Sequence, residues 1–407
     1  MIRPQIERAR SATGQKALES RKIGPSAAPG KTPRRALVAG AGGFIGHHLV
    51  KRLRAEGFWV RGVDLKRPDF EPSPADEFLV ADLRSFDHCA IAVHGVQDVY
   101  QLAADMGGIG YISTNHASVC RNNILINANM LEAASLERVN RYLYTSSACV
   151  YPSFLQANED VTPLKESDAI PADPEEGYGW EKLFAEQLSS YYHEDAGLDV
   201  RIVRFHNIYG PLGTYEGGRE KAPAAICRKV AEAEDGSSLE VWGDGQQTRS
   251  FCYIDDCVEG IMRIMDSGYT APINLGTEEL ISVDGLVDLV SEIGRKALTK
   301  IHDHTKPQGV RGRNSDNTLL QSVLGWRPTT TLREGLATTY AWIWDQLSKQ
   351  GRAKPPLPSG WVVALKVERM PTRALETSAH KTANRQGALV NRDFDRQSGM
   401  ERGDRPR

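Results

Sequence analysis

The chain has 407 residues, 40% hydrophobic and 25% charged, a globular composition long enough for one large or two closely joined domains with tails. A formal net charge of -2 and a pI near 6.6 give no bulk attraction to nucleic acid or to an anionic membrane, and neither partner is expected. Six scattered cysteines without CxxC pairs or zinc-ligand spacing fit free thiols in a reducing, cytoplasmic setting, with no metal site expected.

Residues 1–34 are basic, with nothing that could form a core, and are expected to be a disordered leader. Arg35-Ala36-Leu37-Val38-Ala39 then gives a short apolar run stopped by glycine, as in a buried parallel strand. A helix is expected from Ile45 to Glu56, where Ile45, Leu49, Val50 and Leu53 share one face. Further strands are expected at 58–63, 78–82, 96–104, 141–147 and 200–204, with helices at 118–136 and 178–193. This alternation predicts an α/β fold, a Rossmann-type doubly wound parallel sheet occupying 35–205. From 206 to 350 the pattern loosens into glycine- and proline-rich loops, short strands and helices. A smaller C-terminal substrate-binding lobe is expected there, with some segments returning to the first domain. Residues 351–407 are polar and aperiodic and read as a largely disordered tail.

Gly40, Gly43 and Gly46, with Phe44 and Ile45 between them, lie at the turn from the first strand into the first helix. That spacing permits a tight turn, a backbone approach to a pyrophosphate at the helix N-terminus, and close strand–helix packing. Asp64, at the end of the second strand, can accept hydrogen bonds from an adenosine ribose. Its charge repels a 2′-phosphate, which favours NAD over NADP. Asp82, ending the third strand, is placed to meet the adenine.

Tyr178 and Lys182 are four residues apart on one helix face. A nearby ammonium is expected to lower the tyrosine pKa toward working pH. The fifth strand delivers Ser147 and Cys149 to the same edge of the sheet.

With Ser147, this Ser–Tyr–Lys set resembles the extended short-chain dehydrogenase/reductase family. For that family the tyrosine deprotonates a sugar hydroxyl while NAD takes the hydride, the serine shares the hydrogen bond, and the lysine holds the nicotinamide ribose. Longer runs are similar to its GDP-mannose 3,5-epimerase branch: Leu102 to Gly108, Ser146 to Pro152, Phe205 to Pro211, Gly217 to Ala225, Trp242 to Phe251 and Val310 to Asn317. The resemblance implies a GDP-hexose substrate, a homodimer, and Cys149 and Lys221 as the acid/base pair that inverts C5 and C3. A thiol and an amine both have pKa values that a site can move toward neutrality. It further implies hexose and diphosphate contacts from Gly107, Asn207, Glu220, Ala222 and Lys229, with Gln247, Thr248, Arg249 and Arg313 on phosphate and nucleotide. His206 is given no catalytic role. A 4,6-dehydratase of the same fold would carry an Asp–Glu pair where Ala148-Cys149 stands. A 5-epimerase making only GDP-L-gulose would use the same groups, and a non-catalytic NAD sensor would be expected to lose Tyr178 or Lys182.

Overall fold

The computed structural model describes residues 33–355. The leader expected at 1–34 and the tail expected at 351–407 lie almost wholly outside the described residues. At their inner ends the chain is tied down: Arg34 pairs with the buried Asp98, and Arg352 with Glu232 and Glu216.

The first half alternates as its apolar runs dictate. Its elements are β1 (Arg35–Ala39), α1 (Phe44–Ala55), β2 (Trp59–Asp64), β3 (Glu77–Val80), α2 (Phe86–Val93), β4 (Asp98–Gln101), α3 (Ile109–Ile112), α4 (His116–Glu137), β5 (Arg141–Ser147), α5 (Glu176–Ala196) and β6 (Val200–Phe205). The second half adds β7 (Ile208–Tyr209), α6 (Ala222–Glu232), β8 (Ser238–Trp242), β9 (Thr248–Ser250), β10 (Cys252–Tyr253), α7 (Ile254–Asp266), β11 (Pro272–Leu275), β12 (Leu280–Ser282), α8 (Val283–Gly294), β13 (Thr299–Asp303), β14 (Gly312–Arg313), α9 (Thr318–Leu324) and α10 (Leu332–Lys349).

Seven strands pair in parallel in the order β11-β6-β5-β4-β1-β2-β3. Strand order reverses between β1 and β4, so a crevice opens beyond their C-terminal ends, where open α/β sheets bind ligands. Both sheet faces are covered, which is why β1 reads as a nearly continuous apolar run. On one face α2, α4 and α5 pack through Cys89, Val93, Met130, Leu131 and Ala185. On the other, Leu49, Val50 and Leu53 of α1 join Ile261, Ile264 and Met265 of α7.

The seventh strand comes from beyond residue 206. Asn274 of β11 donates its backbone N–H to Glu166 Oε1 and its side-chain amide to Leu164 O, both at 2.8–2.9 Å. β11 and α7, from beyond position 206, thus belong to the sheet layer. The remaining second-half elements include α6, α8 and α10, the parallel pair β8–β13, and the small sheet β12-β9-β14. The buried Lys296 closes α6: its ammonium donates to Val230 O, Ala231 O and Ala233 O at 2.7–3.0 Å, serving carbonyls a helix end leaves unpaired.

The expected fourth strand, 96–104, is shorter in the structure. Beyond Gln101 the chain turns away, Asp105 N–H donates to Asn123 Oδ1 at 2.6 Å, and the segment becomes a loop over the crevice.

Candidate active site

One cavity of about 1060 Å³ runs from the glycine turn past the ends of β4 and β5 to α6 and β8. Its first end is built by β1 and α1. Gly40 has φ +84°, and a Cβ on Gly46 would lie 2.1 Å from Gly40 O, so neither position admits a side chain without displacing the turn. Gly43 stands at the N-cap of α1 with no side-chain cap, leaving the helix N-terminus free for an anion. Asp64 Oδ2 accepts from Gly42 N–H at 3.0 Å, fixing the carboxylate at the end of β2 beside the turn. Burial raises its pKa, offset by hydrogen bonds from the backbone of Lys66, Gly42 and Leu65. Phe44, Ile45 and Asp82 also face this end, although both Asp82 oxygens are already engaged by Arg84. A glycine cradle at a free helix N-terminus beside a ribose-directed acid fits a dinucleotide.

β5 and α5 supply the next set. Ser147 Oγ accepts from Cys149 N–H at 3.2 Å, closing a short turn that brings Cys149 to the cavity. α5 can approach this turn because its second contact residue is glycine: a Cβ on Gly179 would sit 2.3 Å from Cys149 O. Tyr178 is thereby held over Ser147. Lys182 donates to Thr145 O at 3.0 Å, and its ammonium lies 5.5 Å from the Tyr178 ring centroid. The expected lowering of the Tyr178 pKa is not what the structure gives. Burial raises it well above the ordinary phenol value, with Cys149 and Glu181 adding to the rise and Ser147 opposing it. The lysine itself is buried, and desolvation lowers its pKa against the pull of Glu181 and Glu186.

Cys149 and Lys221 face the same cavity, Lys221 at the N-cap of α6 and open to the cleft. Their shifts run in opposite directions. Burial and the Glu175 carboxylate raise the thiol, against Arg313 and Ser147, so it does not move toward neutrality as expected. The surrounding protein lowers the Lys221 ammonium, against Cys149 and Cys257.

Gly107, Asn207, Glu220, Ala222, Lys229, Gln247 and Arg249 line the cavity as well. Thr248 does not. β9 alternates, so Gln247 and Arg249 point inward while Thr248 turns outward and donates to Glu159 O. Arg313 is at the cavity, but not as a free phosphate fork. Its Nε donates to Gln156 Oε1 at 2.6 Å, Nη2 to Glu175 Oε2 at 2.7 Å, and Nη1 points to Cys149 Sγ at 3.5 Å. Its planar donors are spent on protein partners beside the thiol.

Three groups escaped the sequence reading. Glu175 holds Cys149 O through its backbone N–H at 2.9 Å, and its carboxylate and the thiol share Arg313. Glu181, 1% exposed, accepts from Asn123 at 2.8 Å and Asn127 at 3.4 Å, with Lys182 Nζ at 3.9 Å. Arg219 lies 3.8 Å over the Tyr111 ring and reaches Met106 O at 3.3 Å, while Gly108 N–H donates to Arg219 O at 3.1 Å. These contacts join the loop after β4 to the loop carrying Lys221. An acidic pair at a helix start, Glu175-Glu176, was the only sequence signal for Glu175. His206 is buried against Asn274, packed rather than facing the cavity.

The fold and the first two clusters define a dinucleotide-dependent enzyme acting at a carbinol carbon. Residues 36–276 match the NAD dependent epimerase/dehydratase family, and the chain belongs to it. Rice (Oryza sativa subsp. japonica) GDP-mannose 3,5-epimerase 1 is 48% identical over 318 residues, covering 78% of this chain and 83% of that protein. Among solved structures, UDP-glucose 4-epimerase of Thermotoga maritima, bound to UDP-glucose, superposes with a TM-score of 0.70 at 25% identity, covering 77% of this chain and 99% of that one. UDP-glucuronic acid 4-epimerase of Bacillus cereus, solved with UDP-glucuronic acid and NAD, gives 0.66 at 26% identity, covering 77% and 99%. The chain is an enzyme, and its cofactor is NAD. Among the described residues no helix is long and apolar enough to cross a membrane, and no cluster of three potential metal ligands occurs.

Proposed function

We propose that this enzyme epimerises GDP-mannose at C5 and C3, giving GDP-L-galactose, GDP-L-gulose or both, through a transient 4-ketone. The observation that carries the proposal is a thiol and an amine, Cys149 and Lys221, converging on the cavity that holds Ser147, Tyr178 and Lys182. The 48% identical GDP-mannose 3,5-epimerase of rice supports the choice of substrate.

The Gly40–Gly46 turn and Asp64 would hold NAD, which would supply a reversible hydride acceptor for C4. Tyr178 takes the C4 hydroxyl proton, with Ser147 sharing that hydrogen bond and opposing the upward pull of burial on the phenol. The ketone acidifies the hydrogens on C3 and C5. One member of the Cys149–Lys221 pair removes such a proton and the other protonates the opposite face, which inverts the carbon. Ala148 follows Ser147 where a dehydratase needs an acid, so elimination has no proton donor there.

Incubation with GDP-mannose in D₂O tests the proposal. Deuterium is expected at C5 and C3; its absence from C5 sinks the epimerase reading, and its presence at C5 alone selects the 5-epimerase making GDP-L-gulose. Tyr178→Phe is expected to slow 4-ketone formation by about 10²-fold or more.

A cytoplasmic homodimer completes the proposal. The free cysteines suit a reducing compartment. Trp180, Phe184 and Tyr191 are each 51–52% exposed on α5 and supply an apolar face for a second copy. Trp180→Glu with Phe184→Glu is expected to give a monomer in analytical ultracentrifugation, and an unchanged sedimentation coefficient would remove this face from the proposal.

A further inference from the structure

Two inversions demand something that one does not. In the first, the base member of the Cys149–Lys221 pair gains the substrate proton and the acid member loses its own. Whichever is which, each ends in the protonation state opposite to its starting one. Before a second carbon is inverted in the same sense, one proton must leave the pair on one side and another must enter on the other. Lys221 is an exposed residue on the wall of the main cavity, which gives its amine a path to water. Cys149 lines the same cavity but has far less access. It is 9% exposed, covered by the turn after β5, and closed in by Arg313, Glu175 and Tyr178.

Glu175 offers the way out. Its backbone N–H is fastened to Cys149 O at 2.9 Å, and its carboxylate shares Arg313 with the thiol, whose Sγ lies 3.5 Å from Arg313 Nη1. The carboxyl group is held in place by Arg313 Nη2 at 2.7 Å, and Arg313 is in turn fixed by Gln156 at 2.6 Å. Arg249 is the other charge facing it. A second recess of about 490 Å³, more open to solvent, lies behind it, lined by Ser113, Ser153, Gln156, Glu176 and Arg311. Glu175 belongs to the walls of both cavities, with Ile109 and residues 307–309 completing the partition. It therefore has the buried thiol on one side and a water-accessible recess on the other.

We infer that Glu175 is the proton relay of Cys149, exchanging the thiol proton with water in the second recess between the C5 and C3 inversions. The balance is simple. The S–H proton passes to a carboxylate oxygen of Glu175, leaving a thiolate, and the resulting carboxylic acid releases it to water; loading runs the same steps backwards. No electron moves, and Arg313 stays protonated, compensating whichever of the two groups carries the negative charge. Glu175 acts through Cys149.

The inference rests on the epimerase reading, and its test separates the two. Full-length wild type, Glu175→Gln and Glu175→Ala are each turned over with GDP-mannose in D₂O. The readouts are the 4-ketone, trapped with borohydride, and deuterium at C5 and C3. Glutamine keeps the size of the side chain but cannot carry a proton. It is expected to slow inversion far more than 4-ketone formation, and to lower the ratio of doubly to singly inverted product by about tenfold or more. Glu175→Ala opens the partition, and formate, a small carboxylate that fits the recess, is expected to restore its C3 exchange. A wild-type product ratio in Glu175→Gln overturns the relay, as does failure of formate to restore Glu175→Ala. A merely structural role predicts equal losses in ketone and inversion with no formate effect, and that outcome overturns it too. Absence of C5 deuterium in the wild type instead defeats the epimerase reading itself.

Discussion

Lys182 is a cation without water. Burial works against its charge, and the nearest compensation is Glu181, 3.9 Å away and 1% exposed. Glu181→Gln removes the negative charge that keeps the ammonium protonated, so Lys182 is expected to lose its proton at lower pH. The alkaline limb of the kcat profile should move down by about one pH unit, the low end for an opposite-charge partner; an unmoved limb would show that the limb belongs to another group. Asp64 is a second residue whose charge decides an outcome. Asp64→Asn keeps the shape at the end of β2 but removes the repulsion toward a 2′-phosphate. NAD affinity relative to NADP is expected to fall about tenfold, measured by fluorescence titration of both nucleotides.

At the scale of elements, the meeting of α5 with the turn after β5 is the most constrained contact in the site. Gly179→Ala would put a methyl 2.3 Å from Cys149 O, and backbone cannot yield as a flexible side chain would. The helix must back away, carrying Tyr178 and Lys182 with it. A loss of about 1–3 kcal/mol in urea denaturation is expected, with turnover reduced by about a hundredfold from misplacement alone. The same contact shows what sequence could and could not convey. β1, β2, β5 and β6 were legible because strands buried on both faces are rich in apolar residues, even where arginines interrupt β2 and β6, and the glycine turn was legible because its residues adjoin in the chain. α2 was missed: it is eight residues long, and Ser85 at its start makes no side-chain cap. Glu175, Gln156 and Arg313 form one cluster from three distant segments, so no spacing announces them. Thr248 was misassigned because a motif names residues in a row, whereas a strand shows the cavity only every other one. The shifts of Tyr178 and Cys149 were misjudged for a related reason: a neighbour's charge can be read from spacing, but depth of burial cannot.

At the scale of the whole molecule, β6 and β11 join the two halves of the chain at one sheet edge, and the residue leaving β6 records the consequence for pH. His206 is fully buried with Nε2 at 3.0 Å from Asn274 Oδ1, and burial holds its pKa down at about 3. In the unfolded chain it titrates near the ordinary value of about 6.5. Below that pH the unfolded chain binds a proton that the folded one refuses. The stabilisation is thus complete above about pH 6.5 and falls by about 1.4 kcal/mol per pH unit on acidification, until the folded pKa is reached. Between pH 6.5 and 5 this histidine alone should cost about 2 kcal/mol, read as a falling urea midpoint, and His206→Gln should flatten that slope.

The contact of Arg219 with Tyr111 and Met106 bears on fidelity. An enzyme that oxidises its substrate only to restore it later runs a debt inside each cycle, and a ketone that escapes early leaves that debt unsettled and the enzyme unable to begin again. Two loops joined beside the cleft are placed to lengthen the stay of a molecule that is neither substrate nor product. What they protect is therefore less the speed of any step than the number of cycles one enzyme completes before it stalls.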